Sequence, residues 1–242
     1  MTGQKPQAAG DRAGDHGGEG AGAGECASPP CYAAEIDPGY FDPPAAPEDI
    51  PAWRRAERRR LRAARMELAV EARAGISGGL MRALEAFLEA RLDGARGRVF
   101  SAYWPIKGEP DLRPLMHALH EAGALVALPL VETKAAPLVF RRWTPETRMV
   151  RGDWNIPVPP PEAPAVTPEI ALAPLVGWDS QGFRLGYGGG YFDRTLAREP
   201  RPYTIGIGVQ SARLATIHPQ PHDIPLDAIV TEAGLQVLRR AP

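Results

Sequence analysis

Six short β-rich runs, RVFSAYW, ALVALPLVE, PLVFRRW, EIALAPLV, YTIGIGVQ and DAIVT, constrain this chain more than any other feature. Between the first two lies DLRPLMHALHEAG, a helical pattern closed by Gly123. Strand, helix, strand at this spacing demands a right-handed crossover and two parallel strands. The expected class is therefore α/β: a mainly parallel sheet flanked by helices, in a single domain. The run IPVPPPEAPAVTP, from Ile156 to Pro168, can be neither helix nor central strand. It is expected to cross the surface between two halves of that domain.

Upstream, Trp53 to Arg73 reads as a helix, with Asp49 as its cap, Pro51 near its first turn and Gly75 as its end. A second helix is expected from Gly79 to Leu92, stopping before Gly94. Ahead of both, residues 1–27 form a Gly/Ala-rich tail too poor in apolar surface to offset its ordering entropy, and it is expected to be disordered. Residues 28–52 are Pro-rich and expected to be extended, and the α/β domain then occupies 53–242.

With 242 residues the chain can bury a sizeable core without disulfides or metal staples. A formal net charge of -1 excludes a globally basic nucleic-acid binder. No run approaches the roughly eighteen apolar residues of a membrane span, and the polar N-terminus lacks a signal-peptide core. The expectation is a cytoplasmic protein with no membrane partner. Cys26 and Cys31 have no second pair to complete a zinc site, and His218 and His222 stand at H-x3-H spacing with no further ligand.

The chemistry concentrates in GWDSQGFRLGYGGGYFDRTL, residues 177–196, which follows a buried-looking strand and opens into a short helix near Tyr191. Gly186, Gly188, Gly189 and Gly190 permit positive φ and close backbone approach, so several N–H groups can point into one concavity suited to phosphate. The following helix adds its positive end, and Arg184 and Arg194 add full charges. There is no Gly-Lys-Ser/Thr, which excludes a P-loop. The third glycine of the dinucleotide fingerprint would fall on Tyr191, which excludes that motif too. Four glycines alone would better suit a Gly-rich hairpin or flexible loop; the flanking Arg, Tyr and Asp turn the balance to the phosphate seat.

The stretch PLVGWDSQGFRLGYGGGYFDR resembles the hallmark of the 5-formyltetrahydrofolate cyclo-ligases, also called methenyltetrahydrofolate synthetases, with Phe192 in place of a second Tyr. The likeness continues through IGIGVQ and HDIPLDAIVTEAG and back to AYWPIKGEPD, covering roughly residues 53–235. It implies an α/β fold of the kind shared by ribose-phosphate isomerases and CoA transferases. It also implies an ATP- and magnesium-dependent ligase that converts 5-formyltetrahydrofolate to 5,10-methenyltetrahydrofolate with release of ADP and phosphate. The implied partner is a small reduced formylfolate, with no nucleic acid, on a monomer or weak oligomer.

By that resemblance Arg184, Leu185, Gly186, Tyr187, Gly188, Gly189, Gly190, Tyr191 and Phe192 wrap the triphosphate. The stretch from Tyr187 to Tyr191 also faces the substrate, and Arg184, Tyr187 and Tyr191 are the candidate catalytic groups. Asp193 and Asp223 match positions that look like magnesium ligands, although Asp193 could simply cap its helix and Asp223 hold a turn. Trp104 and Glu109 match folate-contacting positions, where a carboxylate can accept paired pterin N–H donors and an indole gives a flat wall. On spacing alone Trp104 reads as core and Glu109 as a solvated loop acid.

The helix WRRAERRRLRAAR carries seven arginines in thirteen residues. Arg54, Arg58, Arg62 and Arg65 fall within an arc of roughly 80°. The resemblance places ATP contacts on Arg54 and Arg58, with Arg54 standing where the family has lysine and Glu57 where it has leucine. Arg55, Arg59 and Arg60 read as a solvated face. Two other readings stay open from sequence: a non-catalytic folate- or nucleotide-binding relative, and RNA binding through the arginine stripe.

Overall fold

The computed structural model describes residues 46–92 and 94–242. The expected tail 1–27 and most of the Pro-rich segment 28–52 lie outside the described residues. Helix α1 spans Ile50–Glu67, and the Asp49 side chain caps it by accepting from the Ala52 N–H at 2.7 Å. It thus begins three residues before Trp53, inside what sequence assigned to the extended segment, because Pro51 sits in a first turn where no N–H is missed.

Gly75 does not end a helix. The chain breaks earlier, at Leu68, whose ψ of 132° is extended, and helix α2 then runs Val70–Leu92 straight through Gly75, Gly78 and Gly79. Each glycine costs the helix about 1 kcal/mol against alanine. At Gly79 close packing explains the residue, since an added Cβ would lie 3.1 Å from the Glu232 side chain. Leu80, Leu84, Phe87, Leu88 and Leu92 make up the buried stripe of α2.

The strands are β1 (Val99–Ser101), β2 (Leu125–Leu130), β3 (Val139–Trp143), β4 (Val150–Arg151), β5 (Pro157–Val158), β6 (Ile170–Pro174), β7 (Gly177–Trp178), β8 (Arg184–Leu185), β9 (Tyr203–Ile207), β10 (Ala228–Thr231) and β11 (Gly234–Leu238). Helix α3 (Arg113–Glu121) links β1 to β2, and α4 (Tyr191–Leu196) follows β8. Seven strands form one sheet in the order β11-β10-β9-β6-β1-β2-β3. The five central strands are parallel, and β3 and β11 pair antiparallel at its two edges. All six β-rich runs are strands of this sheet. The edge strand β11 and the two-residue ribbons β4/β5 and β7/β8 carry too little periodicity to be read beforehand.

One core joins α2 and α3 to the sheet through Phe100, Met116, Leu172 and Ile205, all essentially inaccessible. A second gathers Leu61 of α1 with Trp178, Leu185, Leu196 and Ile229. Burying side chains of this size contributes about 1.5–3 kcal/mol each. Since β1 lies between β2 and β6, successive connections diverge there. The carboxyl ends of these parallel strands open a crevice of the kind that takes ligands in α/β sheets.

Candidate active site

A cleft of about 570 Å³ occupies this crevice. Its floor is the ends of β1, β2 and β6, and its walls come from α1, the loop after β1, the β4–β5 hairpin and the glycine turn. Arg54, Arg58, Trp104, Glu109, Arg184, Gly186, Tyr187, Gly188, Gly189, Gly190, Tyr191, Phe192, Asp193 and Asp223 all line it. Leu185 stands apart from the other expected contacts. Its side chain is fully buried in the second core, and its carbonyl accepts from the Val176 N–H at 2.9 Å.

The glycine turn is held by its carbonyls. Arg58 Nε donates to the Gly186 carbonyl at 2.7 Å and Arg194 Nη1 to that of Gly189 at 2.6 Å. Among the described residues no protein acceptor takes the N–H groups from Gly186 to Gly190, so these donors remain for an anion. Gly188 has φ of 99° and Gly190 of 65°, conformations that only glycine adopts without strain. At Gly189 a Cβ would lie 2.7 Å from the Tyr191 ring. Helix α4 has only six residues, so its dipole adds less than the sequence suggested, and the backbone turn and arginines carry the positive potential.

Two buried ion pairs flank the turn. Arg54 grips Asp223 at 2.8 and 3.1 Å, and Arg184 Nη2 meets Asp193 at 2.8 Å beside the Phe192 ring. Burial pushes the Asp223 carboxyl up, but the Arg54 hydrogen bond, the Gln220 N–H and nearby positive charge outweigh it and hold the group below its ordinary value. Burial lowers both the Arg58 and the Arg184 guanidinium pKa, and the charge of Arg54 adds to the effect. An anion placed in the cleft would relieve this cationic crowding.

Asp223 has both oxygens on Arg54 and also accepts from the Gln220 N–H at 2.7 Å. Asp193 keeps Oδ1 with only a 3.4 Å contact from the Ile224 N–H. As a donor set for magnesium, Asp193 offers a ready hard oxygen, whereas Asp223 offers one only by exchanging Arg54. Among the described residues no group of three or more His, Cys, Asp or Glu could hold a metal by itself. His218 packs edge-on against Trp53 at 4.7 Å, in keeping with a structural role.

In the loop after β1, Glu109 is 9% exposed and is not a solvated loop acid. Its Oε1 accepts from the Tyr187 hydroxyl at 2.6 Å and its Oε2 from the Ile106 N–H at 2.9 Å. Burial raises the pKa of Glu109, while Tyr187, the Ile106 N–H, Arg65 and Arg62 pull it down. Trp104 is half-buried, with the Arg113 guanidinium 5.7 Å from its ring centroid. The arginine stripe is not a free face: Arg54 and Arg65 are buried and paired inside the protein. Two of the four arginines of the stripe are thus turned into the protein and not toward solvent.

Sequence reasoning did not single out Tyr103, Trp154 or the role of Arg62 in this cleft. The aromatic in RGDWNIP was the available signal for Trp154. Its exposure of 68% and φ of 54° depend on how the β4–β5 hairpin folds.

A family model described as the 5-formyltetrahydrofolate cyclo-ligase family matches residues 50–232. A 5-formyltetrahydrofolate cyclo-ligase of Mycolicibacterium smegmatis is 33% identical over 153 residues, 59% of this chain and 78% of that protein. One from Escherichia coli K12 is 33% identical over 131 residues, 51% and 72% of the two chains. The solution structure of Aquifex aeolicus 5,10-methenyltetrahydrofolate synthetase superposes with a TM-score of 0.66 at 29% identity, covering 78% of this chain and 94% of that one.

Proposed function

The chain belongs to the 5-formyltetrahydrofolate cyclo-ligase family, and from that membership we propose that it is a ligase converting 5-formyltetrahydrofolate and ATP to 5,10-methenyltetrahydrofolate, ADP and phosphate. The observation that carries this reading is the meeting, in one cleft, of a donor-lined glycine turn with three arginines and of a buried carboxylate with an indole. The first pair suits a triphosphate and the second a pterin, and the two ligands must touch for the reaction to occur.

In the chemistry we assign, the formyl oxygen attacks the γ-phosphorus and the bond to the β,γ-bridging oxygen breaks, releasing ADP. N10 then adds to the activated carbon and loses its proton, and the C–O bond to phosphate breaks. The protein's task is alignment and charge stabilisation. The N–H groups of Gly186 to Gly190 and the guanidinium of Arg58 hold the phosphates. Arg184 adds a buried charge beside them, Glu109 orients the pterin, and Tyr187 and Tyr191 border the reacting group. Magnesium, when bound with the nucleotide, neutralises phosphate charge, and Asp193 is the ligand the donor set supports. We further propose a cytoplasmic enzyme that works as a monomer or weak oligomer without nucleic acid or membrane. Among the described residues no helix is long and apolar enough to cross a bilayer.

The direct test supplies purified protein with ATP, magnesium and 5-formyltetrahydrofolate and follows the absorbance of methenyltetrahydrofolate. A rise that requires ATP supports the reading; no rise, with ATP left intact, removes it.

A further inference from the structure

Arg65 takes no part in the nucleotide-facing contacts, yet it is 6% exposed and ties three elements together. Its Nε donates to the Lys107 carbonyl at 3.1 Å, its Nη1 reaches the Leu175 carbonyl at 3.5 Å, and its Nη2 donates to the Tyr187 hydroxyl at 2.7 Å. Having accepted from Arg65, the hydroxyl can donate in only one direction, toward Glu109 Oε1. The Arg62 guanidinium lies 5.4 Å from the Tyr187 ring centroid. Tyr187 is thereby fixed at its ring and at its oxygen.

Resting on the folate reading above, we propose that Arg65 is a positioning residue for folate binding: through the Tyr187 hydroxyl it sets the Glu109 carboxylate so that its remaining lone pairs face the paired N–H donors of a pterin ring. The carboxylate has one donor on each oxygen, from Tyr187 and from the Ile106 N–H, and each oxygen has a further lone pair. Two parallel donors, a ring N–H and an exocyclic amine, match such a face, which a carboxylate free to rotate would present only part of the time. The chain from Arg65 to Tyr187 to Glu109 polarises in one sense, from cation to anion, and offsets part of the burial that raises the Glu109 pKa.

The groups facing Glu109 are Arg62 and Arg65 from α1, Tyr187 from the glycine turn and the buried Tyr103 phenol at the end of β1. Removing Arg65, or the Tyr187 hydroxyl, takes away influences that pull the Glu109 pKa down. Folate binding then fails at a higher pH than in the unaltered enzyme.

The experiment measures KM for 5-formyltetrahydrofolate and for ATP, from mildly acidic to neutral pH, in the full chain and in Arg65→Met, Arg65→Lys and Tyr187→Phe. The expected result for Arg65→Met is a rise in folate KM of about tenfold or more, with ATP KM changed far less and the break in folate KM moved toward neutral pH. Arg65→Lys should recover part of the shift, and Tyr187→Phe should reproduce the loss. The Phe variant keeps the ring at a 38% exposed position, so it carries the test even if Arg65→Met does not fold. Folate and ATP KM rising together with an unmoved break, or an unchanged folate KM in Tyr187→Phe, would overturn the proposal. If the unaltered enzyme forms no methenyltetrahydrofolate, the folate reading itself fails; turnover beside variants with unaltered folate KM sinks the positioning role alone.

Discussion

Arg54 and Asp223, separated by 169 residues of sequence, meet through two hydrogen bonds of 2.8 and 3.1 Å, with side chains only 8% and 7% exposed. The pair locks the first helix to the loop ahead of β10. Arg54→Met would leave Asp223 buried without its counter-charge, which costs about 3–5 kcal/mol. Denaturant unfolding should show that loss near neutral pH. Because the folded-state pKa of Asp223 is depressed, its stabilising share is complete above the unfolded value and disappears as pH falls through the depressed one. The stability gap between the two proteins should therefore close in strong acid, and a gap independent of pH would assign the loss to packing.

Among the described residues Arg58 makes one side-chain hydrogen bond, Nε to the Gly186 carbonyl. Among the described residues nothing accepts from its terminal nitrogens, and they border the glycine turn. Arg58→Ala is expected to raise ATP KM by about 10–100-fold, the worth of one or two charge-assisted hydrogen bonds. Folate KM and the unfolding midpoint should move much less. A loss of stability matching the loss of ATP affinity would make Arg58 a brace for the turn.

Gly188 has room for a side chain, since its nearest neighbour to an added Cβ is the Arg58 guanidinium at 3.6 Å. Its φ of 99° is what forbids one. Gly188→Val should cost about 1–3 kcal/mol of backbone strain or force the turn to flip, and either outcome redirects the N–H groups that face the cleft. ATP turnover should fall far more than the stability change accounts for. Measured together, turnover and unfolding free energy decide it, and equal losses would mean that the turn is only structural.

The central strands and the glycine turn were legible because β-rich runs between prolines and glycines, and four glycines among Arg, Tyr and Asp, have few other uses. The continuous α2 was not, since Gly75, Gly78 and Gly79 only weaken a helix, and packing on the sheet outweighs them. Arg54 and Arg58 lay on the stripe that faces the cleft. Arg65 lay on it too, but its part depends on Lys107, Leu175 and Tyr187 arriving from three places in the chain. Glu109 looked solvated for the same reason, because its Tyr187 partner comes from 78 residues further along the chain.

Trp154 joins backbone strain to an exposed aromatic surface at the rim of the cleft. Its φ is 54°, costly for a side chain of this bulk, and its ring meets Tyr191 edge-on at 5.8 Å. Trp154→Gly would relieve strain of about 1–2 kcal/mol and give back about 0.5–1 kcal/mol through greater freedom of the unfolded chain. The two partly offset, so the folding free energy should change by about 0–1.5 kcal/mol. The cleft, however, would lose an aromatic wall beside Tyr191, a surface that suits an apolar ring system better than a triphosphate. Folate KM should rise several-fold with ATP KM near its original value, and Trp154→Phe, which restores a ring, should recover most of the difference. If instead both variants unfold more readily and bind folate as before, the indole serves the hairpin and not the ligand.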